Sequence, residues 1–533
     1  MTMTTCIKKL VRATLPGVAT TAFALGILLA ISSTSRAEDD ERKPLRNINE
    51  IKHIIVIYQE NWSFDSLYGQ FPGADGLANS FDAIPQLDVS ATPAYSSLIY
   101  QTPSPLTGFP LATDPQFPST TGGKLALASN HNLALPLIPY DFTTYIAADG
   151  FTGDIVHRFY HEQLQIDNGL LETKNGDLDK FVTWSDNPGL VLSYVDATNL
   201  PEGQLAQQYT LCDNFFHSAY GGSFLNHQWL IAAAAPPWTA PIPAGWQSSY
   251  DPVAKILKDN QLTFDGKYAV NTTQPLLAPF SPGTSTAKRL LINNSDPSKP
   301  GYLPNIGNRL DDSGISWKWY SGGWNDALAN NNTANNELFQ FHHQPLAYYT
   351  KYAPFLTAPT TDYSASAPPQ LNPATTGPNA HLQDEEDFFG DVASGKLPPV
   401  AFVKPIGKYN EHPGYADEVT GQKHVAELVA AVRKSTIWKD CVIIMTYDEN
   451  GGRWDHVVPP VRKDGWGVGV RVPTIIISPF ARHGGIDNTE YETVSILKLI
   501  ERRFHLAPLS SRDADPTIND LTHALGHTDR DHD

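Results

Sequence analysis

The run His53-Ile54-Ile55-Val56-Ile57-Tyr58 is the clearest strand in the sequence. Three further runs of the same apolar, β-branched kind lie at residues 400–403, 442–445 and 474–477. Continuous apolar runs, unlike alternating ones, suit strands that are covered on both faces, as in a parallel sheet. Segments with a helical apolar stripe lie among and after these runs, at 424–432 and 492–504. This alternation predicts an α/β fold with a central, mostly parallel sheet.

The composition is that of a large globular protein. The chain has 533 residues, of which 41% are hydrophobic, and this excludes a disordered chain, a collagen-like repeat and a coiled coil. Its 38 Lys+Arg against 56 Asp+Glu give a formal net charge of −18. Such a balance argues against broad electrostatic binding to nucleic acid or to anionic membranes. An anionic substrate held in a local site remains compatible with it.

Residues 1–37 have the order of a secretory signal peptide. Basic residues precede an apolar run at 18–31, and Ser35 and Ala37 place small residues at positions −3 and −1 of a cleavage after Ala37. The apolar run of about 14 residues is shorter than the ~20 that span a bilayer. We therefore expect export to the periplasm or the exterior, and a mature chain without stable membrane insertion.

Cysteine is rare, with 3 residues in the chain, so no disulfide framework is expected. Cleavage of the signal peptide removes Cys6 and leaves Cys212 and Cys441. The sequence favours two buried thiols over a single bridge between them.

Long stretches rich in Pro, Ser and Thr interrupt the α/β pattern, at about 80–145, 236–305 and 354–380. Loops of this length in a compact domain usually form lids or binding surfaces. We interpret them as loop or cap insertions that decorate one α/β domain over residues 38–512. The polar segment 513–533 is predicted to be a mostly mobile tail.

Acidic and amide side chains gather where two of the predicted strands end. Glu60 and Asn61 follow the first strand, and Asp448 and Glu449 follow the strand at 442–445. Ligands of parallel sheets bind outside the carboxyl ends of strands, and adjacent oxygen donors suit a hard divalent cation. Helix capping and a simple turn stay open as alternatives for the two segments.

Ser223 follows Gly221 and Gly222 and opens a helical segment. A serine there faces free N–H groups and the positive end of the helix dipole, which is a natural place for phosphate. A plain helix-capping role is the alternative. The histidine pair His342-His343, and His412 in a Gly/Pro loop after a strand, also have the placement expected of a site.

Glu60-Asn61-x-Ser63-Phe64-Asp65-x-x-Tyr68-Gly69 resembles the signature of the bacterial phosphoesterase family that holds phospholipases C and secreted acid phosphatases. Five further blocks resemble that family in the same order, at 153–181, 209–236, 339–345, 399–417 and 440–485. The resemblance implies an alkaline-phosphatase-like α/β sandwich with one divalent metal ion at the strand ends, whether Ca, Mg, Mn or Fe.

The resemblance also implies roles for individual residues. By position, the metal ligands are Glu60, Asn61, Ser223, Asp448 and Glu449. The catalytic residues are the nucleophile Ser223 and the acid–base candidates His343 and His412. The residues expected to bind substrate are Asn226, His157, His342, Asp455 and His456.

Two positions bear on the branch of the family. Trp62 and Ser223 stand where its phospholipases C usually carry Arg and Thr, and the blocks at 157–160 and 341–345 are similar to the acid-phosphatase branch. We therefore expect a secreted, metal-dependent acid phosphatase that hydrolyses small phosphate monoesters through a phosphoserine intermediate. The alternatives are a phospholipase C acting on phosphatidylcholine-type lipids and, with 11 Trp and 22 Tyr available for recognition, a non-catalytic secreted binding protein.

Overall fold

Among the residues that the computed structural model describes, eight strands hydrogen-bond into one sheet. In chain order they are β1 (His53–Gln59), β2 (Thr210–Cys212), β3 (Trp317–Ser321), β4 (Leu382–Asp384), β5 (Val400–Lys404), β6 (Cys441–Tyr447), β7 (Thr474–Ile477) and β8 (Gly485–Asp487). Their spatial order is β4-β3-β5-β1-β6-β7-β2-β8. Neighbours pair in parallel except at β7, which is antiparallel to β6 and to β2. The predicted mostly parallel α/β sheet is confirmed.

The structure describes residues 45–83, 86, 138–166, 177–182, 184–185, 189–242, 247–251, 256–259, 261–281, 284–330, 338–355, 372, 380–481 and 484–526. These residues belong to one compact unit. The predicted signal peptide and most of the predicted loops at 80–145 and 354–380 lie outside the described residues.

The α-helices of the described residues are α1 (Phe64–Tyr68), α2 (Phe159–Ile166), α3 (Pro201–Gln208), α4 (Ser223–Ala232), α5 (Ile306–Asp312), α6 (Trp324–Asn330), α7 (Glu385–Ala393), α8 (Glu418–Arg433) and α9 (Thr493–Phe504). They pack in two groups, since α3 and α7 contact α8, whereas α9 and α5 contact α4. Strands β5 and β6 are buried at every position, as expected for strands covered on both faces. Within the described part of the chain, no helix combines the length and apolarity that crossing a bilayer requires.

Apolar spacing explains the two helices that the sequence predicts. Helix α8 buries Val425, Leu428, Val429 and Val432 on one face, and it starts at residue 418 because the Asp417 side chain accepts a hydrogen bond from Thr420 N. Helix α9 buries Val494, Leu497 and Ile500 in the same manner. The prediction at 424–432 therefore misses the first turns of α8, which carry few large apolar residues.

Short elements lie outside the main sheet, and some of them fall in the described part of the predicted loops. Two-stranded pairings join Tyr140–Asp141 to Ser193–Tyr194, Phe215–Phe216 to Tyr491–Glu492, Ser249–Asp251 to Ile256–Lys258, Thr263–Phe264 to Tyr268–Ala269, and Gln274–Pro275 to Arg289–Leu290. The 3-10 helices in the described part of the chain are Ile48–Glu50, Leu77–Asp82, Phe142–Thr144, Ala197–Asn199, Thr286–Lys288, Phe341–His343, Pro345–Tyr348, Gly407–Tyr409 and Trp438–Asp440. The stretch 236–305 thus contains ordered hairpin-like pieces as well as loop.

The prediction of a mobile tail from residue 513 is wrong for residues 513–526. Ile518, Leu521 and Leu525 are buried in the main hydrophobic core, and Thr210 at the start of β2 donates a hydrogen bond to Ala524 O at 3.0 Å. These apolar residues, scattered in a polar segment, hold it against the sheet. Cys212 and Cys441 are both buried free thiols, as predicted.

We expect Ile55→Ala, in the middle of β1, to lower the free energy of unfolding by about 2–5 kcal/mol, and Ile55→Val by about 0.5–1.5 kcal/mol. Ile55 is wholly buried between β5 and β6, so truncation leaves a cavity that the sheet cannot close. Urea unfolding measures both changes. Val461→Ala, at a side chain that is 72% exposed, serves as the control and should change stability by less than about 0.5 kcal/mol. An equally small loss for Ile55→Ala would contradict a tightly packed central strand.

Candidate active site

The parallel pairing of β1 and β6 brings the two acid-bearing strand ends together. Gln59 is paired with Tyr447 at the end of the ladder, and Asp448 N donates a hydrogen bond to Gln59 O at 3.1 Å. Glu60 and Asp448 are the next residues of their strands, so both emerge at the same edge of the sheet. The side chains of these two acids, and those of Gln59 and Tyr447, are fully buried.

The Glu60 carboxylate is held by cationic and imidazole groups. Its Oε1 lies 2.6 Å from Lys404 Nζ and 2.8 Å from His343 Nε2. Its Oε2 accepts a hydrogen bond from Ser223 Oγ at 3.2 Å. Burial raises the pKa of Glu60, but Lys404 and His343 outweigh it and hold that pKa well below its usual range. Glu60 is therefore a charged carboxylate in this site.

Asn61 adopts the left-handed region with a φ of 60°, a conformation that asparagine tolerates better than most residues. Its Nδ2 lies 3.1 Å from His157 Nε2, while its buried Oδ1 has no hydrogen-bond partner among the described residues. Gly451 makes room for this turn, because a Cβ there would lie 2.5 Å from Asn61 O. An unpartnered buried carbonyl oxygen is costly unless something else binds it.

Asp448 and Glu449 complete an acidic group at this edge. Glu449 Oε1 lies 3.3 Å from Ser223 Oγ and 3.4 Å from His157 Nε2. Burial, together with the neighbouring carboxylates such as Glu60, raises the pKa of both residues well above the usual range. Ionised together, Glu60, Asp448 and Glu449 would carry more negative charge than Lys404 offsets.

Ser223 is the first residue of α4, and Gly222 precedes it as the cap residue. The turn before Ser223 requires glycine at position 221 for two reasons. Its φ is 91°, and a Cβ there would lie 2.5 Å from Phe159 N. Asn226 Nδ2 donates to Gly221 O at 2.8 Å and to Ala219 O at 3.0 Å. The turn thus places the Ser223 hydroxyl between the carboxylates at the sheet edge.

The prediction that Asn226 binds substrate is not supported by this geometry. Its side chain is fully buried, its amide holds the turn at 219–222, and it does not line the cavity beside Ser223. An asparagine in this position satisfies backbone groups that the glycine turn leaves open.

A cavity of about 410 Å³ lies in front of Ser223. Its lining includes Glu60, Ser223 and the predicted histidines His157, His342 and His412. Its other lining residues are Asp154, Ile155, Val156, Arg158, Gly222, Phe224, Leu262, Val270, Asn271, Thr272, Gln340 and Tyr415. This size suits the head of a small ester.

The histidines differ in what they can do. His412 Nδ1 lies 2.6 Å from Pro413 O, which leaves Nε2, 3.9 Å from Glu60 Oε2, directed into the site. His343 is instead buried behind Glu60 and does not line the cavity, and burial lowers its pKa to about 4. Burial also lowers the pKa of His342 well below the usual range. Of the two predicted acid–base histidines, His412 alone faces the cavity.

Two residues of the site were missed in the sequence. Lys404 ends β5, next to β1, and its position at the end of an apolar strand was the available signal. His227 lies one turn into α4, where its Nδ1 is 2.7 Å from Ser223 O, and its ring stacks on His343 at 5.3 Å. It is spaced four residues from Ser223, so it shares that helix face.

Asp455 and His456 belong to a different cluster from the one predicted. Arg471 Nε donates to Asp455 Oδ1 at 2.8 Å and Arg471 Nη2 to Asp65 Oδ1 at 3.2 Å. His456 Nδ1 lies 2.7 Å from Asp65 Oδ2. Neither Asp455 nor His456 lines the cavity. The buried Arg471 guanidinium pairs with Asp65 and Asp455, so the cluster joins the segment between β6 and β7 to α1.

The residues at the sheet edge fit a divalent metal ion. The donors are the carboxylates of Glu60, Asp448 and Glu449, the amide oxygen of Asn61 and the hydroxyl of Ser223, a hard oxygen set. Glu60, His227 and His343 also bring one potential ligand atom each within 4.8 Å of one another. A cation here would bind the unpartnered Asn61 oxygen and offset the excess negative charge.

Comparisons with known proteins point to one group. A model of the Phosphoesterase family matches residues 51–507. Phospholipase C B of Mycobacterium tuberculosis is 25% identical over 507 residues, which cover 89% of this chain and 78% of that protein. Non-hemolytic phospholipase C of Pseudomonas aeruginosa is 21% identical over 490 residues, covering 86% of this chain and 54% of that protein.

Among solved structures, a protein of the alkaline phosphatase superfamily from Vibrio parahaemolyticus is similar at a TM-score of 0.29 and 10% identity, over 60% of this chain and 63% of that one. The α/β assignment rests on the sheet order and strand directions described above.

We expect Asp455→Ala to lower the free energy of unfolding by about 3 kcal/mol, because it leaves the buried Arg471 charge with less compensation. Any ester turnover should keep its KM, since Asp455 does not line the cavity. Glu427→Ala, at an exposed acid of α8, is the control. Unchanged stability together with a tenfold higher KM would restore Asp455 as a substrate-binding residue.

Proposed function

The chain belongs to the Phosphoesterase family, and from this premise we propose that it cleaves phosphate esters with Ser223 as the nucleophile. The family resemblance inferred from the sequence is confirmed, and the chain is a phosphoric ester hydrolase. The observation that carries the nucleophile assignment is the position of Ser223 Oγ. It stands at the N-terminus of α4, 3.2 Å from Glu60 and 3.3 Å from Glu449, in the cavity lined by His157 and His412.

The site's own residues supply most of the proposed mechanism. Ser223 Oγ gives its proton to Glu449, whose Oε1 lies 3.3 Å away, and attacks phosphorus in line with the departing alkoxide. The free N–H groups at the start of α4 stabilise the phosphoryl oxygens. His412, with Nδ1 engaged by Pro413 O, delivers a proton from Nε2 to the leaving alkoxide, and later accepts one from the water that hydrolyses the phosphoserine. Lys404 and His343 hold Glu60 in its charged form.

A divalent metal ion would be held by Glu60, Asn61, Asp448 and Glu449, with Ser223 beside it. When bound, it would supply Lewis-acid stabilisation of charge on the phosphoryl group and a lower pKa for the serine hydroxyl. The identity of the ion, among Ca, Mg, Mn and Fe, is open to the oxygen-rich donor set.

For the substrate, we propose a phospholipid phosphodiester with a small headgroup, as in a phospholipase C. This replaces the phosphomonoester expected from the sequence as the first candidate, because the relatives that match most of the chain are named phospholipases C. Small phosphate monoesters are the second candidate. Trp62 favours these substrates, because it stands where the family's phospholipases C usually carry Arg. The Trp62 side chain is buried, and the Arg453 guanidinium lies 3.9 Å from the centroid of its ring.

We also propose, from the sequence of residues 1–37 alone, that the chain is exported through the general secretory route. Both proposed substrate classes are compatible with a periplasmic or extracellular enzyme.

We expect Ser223→Ala to lower kcat by at least about 10³-fold, because alanine has no hydroxyl with which to form the phosphoserine intermediate. Purified residues 38–533 and the variant are assayed from pH 4 to 9 on phosphatidylcholine vesicles, for release of choline phosphate, and on p-nitrophenyl phosphate. Choline phosphate release by the wild type supports the phospholipase C proposal. Fast monoester turnover with no lipid cleavage selects the second candidate.

Ser298→Ala, at an exposed serine, is the matched control for this experiment and should leave kcat unchanged. Residual activity of Ser223→Ala within tenfold of wild type would reject Ser223 as the nucleophile. Silence of the wild type on both esters would contradict the proposed function and favour the binding-protein alternative.

Asp448→Asn should lower the bound metal of the purified protein to less than about a tenth, because it replaces a carboxyl group that can ionise on binding a cation by an amide that stays neutral. Elemental analysis by mass spectrometry measures the content directly. Asp326→Asn, an exposed acid in the first turn of α6, should keep the wild-type content. Equal metal in both variants would remove Asp448 from the ligand set.

A further inference from the structure

A second group of buried acids lies directly behind the strand ends of the active site. Glu202, near the start of α3, and Glu411, in the loop after β5, are both wholly buried. The Tyr447 hydroxyl stands between them, 2.6 Å from Glu411 Oε2 and 3.0 Å from Glu202 Oε2. Gln59 Nε2 donates to the other Glu411 oxygen at 2.7 Å.

The count of protons in this group distinguishes the two acids. Glu411 receives a donor at each oxygen, from Gln59 and from Tyr447, so it is satisfied as a carboxylate. The Tyr447 hydroxyl has one hydrogen, and its donation to Glu411 leaves its oxygen as an acceptor toward Glu202. Glu202 must then bring a proton of its own, which makes it a carboxylic acid.

The surroundings favour retention of that proton. Glu418 and Asp417 face Glu411 from α8, and Tyr68 faces Glu202 from α1. Burial and the neighbouring Glu411 raise the pKa of Glu202 well above its usual range, and burial together with Asp417 raises that of Glu411. The Arg453 guanidinium acts mainly on Glu418 and is itself bonded to Ser193 and Thr152.

Three of the four members of the group immediately precede a residue of the active site. Gln59 precedes Glu60, Tyr447 precedes Asp448, and Glu411 precedes His412. Glu411 also has a strained φ of 72°, and its carbonyl oxygen accepts a hydrogen bond from Trp62 Nε1 at 3.0 Å. Three separate segments that carry functional groups are thus tied together by hydrogen bonds behind the site.

We propose that Glu202 and Glu411 are positioning residues that share one proton through Tyr447 and thereby hold His412, Glu60 and Asp448 in their working arrangement. The inference rests on the proposed function, since it assigns to this pair the alignment of the groups that carry out ester hydrolysis. Neither acid lines the cavity, so neither touches substrate.

The test compares the same isosteric substitution at the two partners. Glu202→Gln replaces a neutral donor by another neutral donor, so kcat should stay within about threefold of wild type. Glu411→Gln turns an acceptor oxygen into an NH₂ group that faces Gln59 or Tyr447, two donors. Here kcat should fall at least about tenfold while KM changes less than about threefold, because alignment is lost and the binding cavity is not.

A second measurement is independent of activity. A carboxylic acid whose pKa is raised by folding stabilises the folded state. This contribution is complete at a pH below the pKa of the unfolded chain, ~4.3 for Glu, and it is lost as the pH rises toward the pKa of the folded protein. The folding equilibrium constant of wild type should therefore fall, relative to Glu202→Gln, by up to about tenfold per pH unit above pH 5. Urea unfolding of both proteins from pH 5 to 8 gives this difference.

Equal kcat losses in the two variants, or urea curves whose pH dependence is the same for wild type and Glu202→Gln, would overturn the inference. If Glu411→Gln does not fold, the urea comparison alone decides. A wild type that cleaves no ester would contradict the proposed function, while the urea comparison would still report on the shared proton.

Discussion

The parallel ladder between β1 and β6 is the constraint on which the rest of the active site depends. Parallel strands end at the same edge, and the register that pairs Gln59 with Tyr447 sets Glu60 and Asp448 at equal height. A shift by one residue would turn these side chains to the opposite faces. The long apolar runs of the two strands fix the register, so the position of the acids follows from the packing of the core.

This arrangement gathers fully buried acidic side chains, with Glu60 at the wall of the cavity. Such a group is costly unless it is paired. Lys404 offsets the charge of Glu60. Raised pKa values favour retention of protons by Asp448 and Glu449. The oxygen donors of the site also fit a cation that would offset the remaining charge. The same edge therefore requires a lysine from β5, a histidine behind Glu60 and a helix start at Ser223, each on a different element.

Much of the fold could be predicted because β1, β5, β6 and β7 are long apolar runs, and α8 and α9 carry clear apolar stripes. Strands β2, β4 and β8 have three residues each, too few for a periodic signal. The antiparallel direction of β7 could not be predicted from its own sequence, because a strand that is covered on both faces is apolar whether it runs parallel or antiparallel to its neighbours. Residues 518–525 were missed because their buried side chains are isolated among polar ones.

In the site, too, residues with a local sequence signal could be predicted, whereas residues that depend on distant contacts could not. Residues next to strand ends and the glycine turn, such as Glu60, Asp448 and Ser223, were placed correctly at one edge of the sheet. Asn226, Asp455 and His456 were expected at the substrate because they accompany the motif, but they serve backbone groups and Arg471 instead. Lys404 was missed because its partner, Glu60, is distant in sequence and adjacent only through the pairing of β5 with β1.

The two buried thiols have a consequence for how the chain matures. Cys212 pairs with Thr474, which in turn pairs with Thr446, so Cys212 lies at the height of residue 446, whereas Cys441 begins β6 at the other end. The two cysteines are thus separated by two strand spacings and by five residues of strand, roughly 15 Å along the sheet, far beyond the ~7 Å limit for a disulfide. The segments that contain Cys212 and Cys441 therefore fold without an oxidant and without a disulfide isomerase. A reducing host cytoplasm can therefore yield the same folded domain as an oxidising compartment.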